Sequence, residues 1–130
     1  MTRVCYITHD SLNEGIGRSQ ILPLLKALAE KNYKVSVISC EKVNSDSLAR
    51  DMTTWGVRWI SLPFGRRGSL GGLWRVIRIA LRIPKADIYH VRSDLPMLSV
   101  ALRNKRKVLW DVRGLWLEQK MVNKTMSSSR

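Results

Sequence analysis

The sequence lacks most features that mark secreted, membrane-spanning or metal-binding proteins. It has only two cysteines, Cys5 and Cys40, and no Cys-x-x-Cys pattern, so reduced core thiols are favoured over a disulfide or a metal role. No run approaches the ~18 apolar residues that cross a bilayer. The N-terminal residues MTRVCYITHD enter a strand-like segment without a signal-peptide core. We therefore expect a cytoplasmic protein.

Acidic residues are also scarce, and the positive charge that results is concentrated in one part of the chain. The 23 Lys and Arg residues outnumber the 10 Asp and Glu residues, for a net charge of +13. Residues 58–113 alone hold thirteen basic and three acidic residues. Such an imbalance is typical of a domain that faces anionic lipid, nucleic acid or phosphorylated ligands. The alternative is a solvated basic surface.

What the sequence does contain is a regular alternation of strand-like and helix-like segments. Short runs rich in Val, Ile and aromatic residues alternate with one-sided helical patterns. This alternation predicts right-handed βαβ crossovers, hence an α/β fold with a Rossmann-like parallel sheet and helices on both faces. The predicted strands cover 3–8, 34–39, 57–62, 87–91 and 107–111, and the predicted helices cover 19–31, 44–54, 70–83 and 96–103.

The length suits one domain, which we place at residues 1–119. Residues 120–130 read as a polar tail without apolar periodicity. Because another helix and strand would be expected at this point, the domain looks truncated.

The loop after the first predicted strand contains Gly15-x-Gly17 followed by Arg18. Glycines allow the backbone to approach a ligand, and an arginine offers paired donors to phosphate. A dinucleotide site is disfavoured although Glu41 stands near the ribose-binding position. Gln20 replaces the third glycine, and the glycines begin seven residues beyond the strand. A plain turn remains the alternative.

Two later strands run into charged residues where they end. The segment DIYHVRS ends in Arg92 and Ser93, and KVLWDVRGLWLE passes through Asp111 and Arg113. Ligands of open parallel sheets bind at the carboxyl edge of the strands. The arginines suggest an anionic or heavily hydroxylated ligand. Simple ion pairs, Asp111 with Arg113 or Arg92 with Asp94, are the structural alternative.

Three segments in this order resemble a known family. YITHDSLNEGIGRSQILPLLKALAEKNYKVSVIS, YHVRSDLPMLSVAL and VLWDVRGLWLEQ are similar to the N-terminal half of family 4 glycosyltransferases of the GT-B fold. The resemblance covers roughly residues 3–119. Asn32 and Tyr33 depart from the Gly-His that the family pattern often has after its first helix.

This resemblance implies an enzyme that moves a sugar from a nucleotide-sugar donor to a glycan or lipid-linked acceptor, as in cell-envelope or polysaccharide synthesis. Similar enzymes hold the acceptor on the N-terminal domain and the donor mainly on a C-terminal domain, which would here be a separate partner. They generally retain the anomeric configuration. No cofactor or metal is expected, in keeping with the absence of an Asp-x-Asp pair.

The resemblance also implies roles for individual residues. Asp111 and Arg113 would form the catalytic wall, where the main task is electrostatic stabilisation of a leaving diphosphate and of an oxocarbenium-like centre. The expected substrate-binding residues are Gly15, Gly17, Arg18, Arg92, Ser93 and Glu118.

The helical segment 70–83 is both basic and amphipathic. Three of its arginines fall within a ~60° arc opposite a broad apolar side. We expect these arginines and the two before the helix to face an anionic membrane, which would make the protein peripheral on the inner face of the plasma membrane. The alternative is that the apolar side packs on the sheet and the arginines only meet water. The expected membrane-facing residues are Arg66, Arg67, Arg75, Arg78 and Arg82.

Two other classes of function stay open. A non-catalytic basic module for anionic lipid or nucleic acid fits the charge, although no RNA-recognition motif is present and the aromatic residues do not alternate with the basic ones. The second alternative is that the chain is a remnant fragment without a function.

Overall fold

The structure, a computed structural model, describes residues 2–15, 17–43, 45–65, 68–103 and 107–111; of Asp111 only the backbone is described. Strands and helices alternate along this part of the chain. The strands are β1 Arg3–Ile7, β2 Lys34–Glu41, β3 Arg58–Pro63, β4 Ile88–Arg92 and β5 Val108–Asp111. The helices are α1 Leu22–Glu30, α2 Asp46–Trp55, α3 Ser69–Arg82 and α4 Asp94–Leu102, and a π-helical turn, Gly17–Ile21, leads directly into α1.

All strand pairs in the sheet are parallel, and the strand order is β3-β2-β1-β4-β5. The chain builds the sheet outward from β1 in one direction and then crosses back to add β4 on the other side. The connections on the two sides of β1 therefore lead to opposite faces. In such sheets the carboxyl edge between the two central strands forms a crevice where ligands bind.

Side chains of the central strands alternate between two apolar layers. Along β1, Cys5 and Ile7 face one layer, which α3 and α4 cover. Tyr6 faces the other layer, which α1 and α2 cover. Both layers are buried, as expected for a parallel sheet enclosed by crossover helices. The predicted α/β, Rossmann-like fold with helices on both faces is confirmed.

The sequence segments that predicted strands and helices all form them, with bounds shifted by a few residues. The largest shift is at the first helix, which was expected from residue 19 but begins as an α-helix at Leu22 because the π-helical turn comes first. Capping residues determine where the polar helix α2 begins and ends. Ser45 caps it by accepting from the Leu48 N–H at 3.3 Å, and Gly56 ends it at φ 76°.

Within the part of the chain that the structure describes, no helix is both long and apolar enough to cross a membrane.

Candidate functional site

The carboxyl ends of β1 and β4 lie side by side and bring their polar residues together. Ile7 is in register with Val91, so the residues after β1 meet Arg92 at the end of β4. Arg92 is only 4% exposed. Its position follows from the sheet order, since 82 residues separate it in sequence from Asp10.

The Arg92 guanidinium is held on two sides. Its Nε donates to Asp10 Oδ2 at 2.9 Å, and its Nη2 lies 3.4 Å from Gln20 Oε1. Thr8 Oγ1 donates to the same Asp10 oxygen at 3.1 Å. Among the described residues, the buried Nη1 of Arg92 has no hydrogen-bond partner. A buried donor without a partner is costly, so an oxygen of a ligand would be bound there favourably.

Backbone strain follows directly after Arg92. Ser93 has φ 72° and ψ −175°, a conformation that almost only glycine adopts without strain. It forms the sharp turn from β4 into α4. The Ser93 carbonyl accepts a hydrogen bond from Trp110 Nε1 at 3.0 Å, which ties the turn to β5. Strain of this kind concentrates at ligand sites.

Glu41, at the end of β2, forms a second buried polar cluster. Its carboxylate accepts from Ser39 Oγ at 2.6 Å, Ser11 Oγ at 2.7 Å and the Leu12 N–H at 3.0 Å. Ser39 Oγ in turn accepts from Trp59 Nε1 at 2.8 Å. Both carboxylate oxygens of Glu41 are therefore engaged by the protein. These hydrogen bonds attach the loop after β1 to the end of β2. Glu41 therefore differs from a ribose-binding acid, whose carboxylate would face a ligand.

The two glycines of this loop are required for different structural reasons. Gly15 is at φ +53°, and a Cβ there would meet nothing within 4 Å. A Cβ on Gly17 would overlap the Ser11 carbonyl oxygen and lie 2.8 Å from Leu12 Cα. Gly17 is therefore needed for the loop to fold tightly on itself. Arg18 is exposed, and its Nε lies 3.4 Å from the Asn13 carbonyl oxygen.

An open cleft of about 460 Å³ lies against the loop, on the side toward the end of β2. Across it, Lys42 Nζ lies 3.8 Å from Glu14 Oε1, and both side chains are well exposed. Acidic and basic groups are mixed in this cleft, so it suits a polar, hydroxylated ligand as well as an anion. Its lining residues are Asp10, Ser11, Glu14, Gly15, Gly17 and Lys42.

The two histidines have different surroundings. Burial, together with the positive charge of Arg75, lowers the pKa of His9 to about 4, so this imidazole is neutral at pH 7. His9 thus adds no positive charge to the site. His90 packs on the ring of Tyr6, with ring centroids 4.7 Å apart, as a core histidine would.

The prediction that Arg75 faces a membrane was wrong. Arg75 is 8% exposed, its Nη1 donates to the Phe64 carbonyl oxygen at 3.0 Å, and its guanidinium stacks on the Phe64 ring at 4.0 Å. It lies on the side of α3 that packs on the protein, where the end of β3 supplies an acceptor and an aromatic face. Arg78 is half-buried and Arg82 is exposed. Arg66 and Arg67 lie outside the described residues.

The remaining predicted site residues divide into two groups. The structure brings Arg92 and Ser93 to the same edge of the sheet as Gly15, Gly17 and Arg18. Asp111 ends the neighbouring strand in register with Arg92. The structure does not describe the side chain of Asp111 or any part of Arg113 and Glu118.

The sequence analysis missed Asp10 and Gln20, the two partners of Arg92. Asp10 carried a usable signal, since it follows β1 at the edge where Arg92 ends β4. Gln20 was considered only as a missing glycine. The proposed pair of Arg92 with Asp94 is replaced by the pair of Arg92 with Asp10.

No protein-family model matches the chain, and no curated protein or solved structure is similar enough to it to count as a match. The family resemblance of the motifs therefore stays a prediction.

Proposed function

We propose that this chain is the acceptor-binding half of a glycosyltransferase that moves a sugar from a nucleotide-sugar to an acceptor. The observation that carries the proposal is the buried Arg92, whose Nη1 faces no acceptor in the described residues. It lies at the carboxyl edge between β1 and β4, where a parallel sheet of this order binds ligands.

The chemistry of this edge suits a sugar. Arg92 is a fixed donor, oriented by its 2.9 Å contact to Asp10. The Asp10 side chain is 44% exposed, so its carboxylate also accepts from a ligand hydroxyl. A donor and an acceptor side by side match neighbouring sugar hydroxyls, and the guanidinium also matches a phosphate oxygen. The proposed acceptors are glycans or lipid-linked sugars. Both carry neighbouring hydroxyls, and lipid-linked sugars can carry phosphate as well.

The proposed catalytic wall adjoins this site. Asp111 pairs in register with Arg92 on the next strand, so the end of β5 lies beside the end of β4. In the family that the motifs resemble, the donor is held mainly by a second domain. Arg113 would then stabilise the negative charge of the leaving diphosphate, and Asp111 would orient Arg113 or accept a hydrogen bond from a sugar hydroxyl beside the oxocarbenium-like centre. We include a separate donor domain among the proposed partners.

The alternative, a basic module for nucleic acid, is less well supported by the arrangement of charge. Arg75 and Arg92 are buried and engaged within the protein. Arg58 is the first residue of β3, and Lys85 and Lys107 precede β4 and β5, so these three lie at the opposite, amino edge. The basic residues of segment 58–113 that the structure describes thus do not form one continuous surface for a polyanion to follow.

Ligand binding is the direct test of the proposal. The probes are UDP-glucose, GDP-mannose and a set of mono- and disaccharides with and without a phosphate, observed by saturation-transfer NMR and calorimetry. We expect at least one saccharide to bind and Arg92→Met to weaken it at least tenfold, about the 1.5–3 kcal/mol of a hydrogen bond to a charged group. Circular dichroism checks that the variant folds.

The matched control is Arg58→Gln, an exposed arginine at the amino edge of the sheet. It should bind the same saccharide as tightly as the unmodified chain. The proposal is wrong if no saccharide of the set binds, or if the folded Arg92→Met variant binds with unchanged affinity.

A further inference from the structure

The outer face of α3 is apolar, although this helix packs on the sheet with its other side. Its buried residues include Val76, Ile79 and Ala80. On the opposite side, five large apolar side chains are between 38% and 81% exposed. We call these five residues the outer stripe: Leu70, Leu73, Trp74, Ile77 and Leu81.

Helix α4 extends this apolar area. Leu95, Leu98 and Leu102 are 42%, 54% and 65% exposed. The two helices pack together, since the Ser99 hydroxyl donates to the Val76 carbonyl at 2.8 Å and Leu95 lies beside Gly72 of α3. We treat the outer stripe and the three leucines of α4 as one α3–α4 surface. An exposed apolar area of this size is typical of an interaction site.

The charge around the outer stripe of α3 is of one sign, whereas α4 begins with the exposed Asp94. From residue 52 to residue 86 the sequence has no acidic residue. Arg78 and Arg82 flank the outer stripe on one side, and the Arg78 guanidinium lies 5.8 Å from the centre of the Trp74 ring. Apolar residues, a tryptophan and flanking arginines together are typical of a helix that lies in the interface of an anionic bilayer.

We propose that the α3–α4 surface docks on the surface of an anionic lipid bilayer, with the outer stripe inserted among the headgroups. This differs from the arrangement expected from the sequence, because Leu73, Trp74, Ile77 and Leu81 point outward and Arg75 inward. The inference does not depend on the proposed function.

A second copy of the chain fits this surface less well than a membrane does. In a two-fold dimer the same patch meets itself, so Arg78 and Arg82 of both copies would approach each other. Helix α3 offers no acidic residue to pair with them, and α4 offers only Asp94, in its first turn. Like charges facing each other across an interface are unfavourable, whereas anionic headgroups would neutralise them.

Docking through α3 has a consequence for the carboxyl edge. Helix α3 follows β3 and runs back from the carboxyl edge to the amino edge, so its first turn, with Leu70, lies beside the edge where Arg92 ends β4. A helix lying flat in the interface would hold that edge next to the headgroups. A membrane-bound ligand would then reach the site without leaving the bilayer.

Flotation with lipid vesicles tests the proposal on the full chain. One set contains equal parts of phosphatidylglycerol and phosphatidylcholine, and the other contains phosphatidylcholine alone. We expect the chain to float with the anionic set. The double variant Trp74→Ser, Leu81→Ser should bind at least tenfold more weakly. Arg78→Gln and Arg82→Gln should each weaken binding to the anionic set about fivefold, and less at high salt.

Two control variants carry the same kinds of change away from the α3–α4 surface. Val43→Ser removes an apolar side chain that is 70% exposed after β2, and Arg50→Gln removes an exposed arginine of α2 on the opposite face of the sheet. Both should float like the unmodified chain.

The proposal is wrong if the chain does not float with anionic vesicles or if the double variant floats as well as the unmodified chain. It is also wrong if light scattering shows a dimer that the double substitution dissociates. The last result would assign the surface to a second copy of the chain. Binding lost equally in the control variants would also count against it.

Discussion

Two buried charged residues, Glu41 and Arg92, end the two strands that flank β1, but their hydrogen-bonding groups are satisfied to different degrees. Glu41 accepts three hydrogen bonds, all from the protein. Arg92 has a short contact to Asp10, a longer one to Gln20 and a buried Nη1 without a partner in the described residues. A cluster that the protein completes stabilises the fold. A cluster left incomplete is available to a ligand.

The two clusters share one loop. Ser11 and Leu12 bind Glu41, while Asp10, one residue earlier, binds Arg92. The hydrogen bonds to Glu41 thus fix the loop that carries Asp10, and the Asp10 carboxylate in turn orients Arg92. We therefore expect changes at Glu41 to act mainly on stability and changes at Arg92 to act mainly on binding.

The largest effect is expected for Glu41→Ala. It removes three charge-assisted hydrogen bonds and leaves two hydroxyls and one N–H poorly satisfied, so the free energy of unfolding should fall by about 4 kcal/mol. Urea denaturation measures it. Glu30→Ala, which removes an exposed glutamate of α1, should change it by less than about 0.5 kcal/mol. Equal losses in the two variants would refute the structural role of Glu41.

Gly17→Ala should be next, because the added methyl group would overlap the Ser11 carbonyl and force the loop away from Glu41. We expect a loss of about 3 kcal/mol in the free energy of unfolding. Gly15→Ala is the matched control in the same loop. There only the positive φ is unfavourable, so the loss should be about 1 kcal/mol. The tight packing of Gly17 would be contradicted if the two variants were equally stable.

His9 should make stability depend on pH. Its pKa is lowered from 6.5 to about 4 in the folded chain, so below pH 6.5 the unfolded chain binds the proton first and unfolding becomes easier. Between pH 7.5 and pH 5 this amounts to a loss of about 2 kcal/mol in the free energy of unfolding. Below about pH 4 the contribution becomes constant.

Chemical denaturation at several pH values, compared with His9→Asn, isolates this contribution. The variant lacks the titrating imidazole, so the difference in free energy between the two proteins should change by about 2 kcal/mol over this pH range. A difference that stays constant with pH would show that His9 is not the group responsible.

Arg92→Met should have the smallest effect on stability, about 1 kcal/mol. The half-exposed Asp10 can be hydrated once its partner is gone, and Met fills much of the same apolar volume. The same denaturation assay as for Glu41→Ala measures it. A loss as large as that of Glu41→Ala would erase the distinction between the two clusters.

Part of the site was predictable from the sequence. Arg92 and Ser93 were identified because polar residues stand where an apolar strand ends, and the structure places that end at the carboxyl edge of the sheet, beside the end of β1. Asp10 was missed because its one signal, its position after β1, does not indicate which residue it would pair with. Its importance depends on a contact across 82 residues of sequence.

The helix α3 shows where sequence periodicity is insufficient. The spacing of its arginines and apolar residues predicted an amphipathic helix, and the helix forms. Periodicity does not tell which side of the helix faces the sheet when both sides carry large apolar residues. The acceptor and ring of Phe64 draw Arg75 inward, and Leu73 and Trp74 then face outward.

The sequence by itself determined the strands, the helices, their alternation and hence a parallel sheet with helices on both faces, because these depend on local propensity and on a periodicity of two or about 3.6 residues. The tertiary structure decided the strand order β3-β2-β1-β4-β5, the pair of Asp10 with Arg92 and the outward side of α3. These depend on contacts between residues far apart in sequence, which no local pattern encodes.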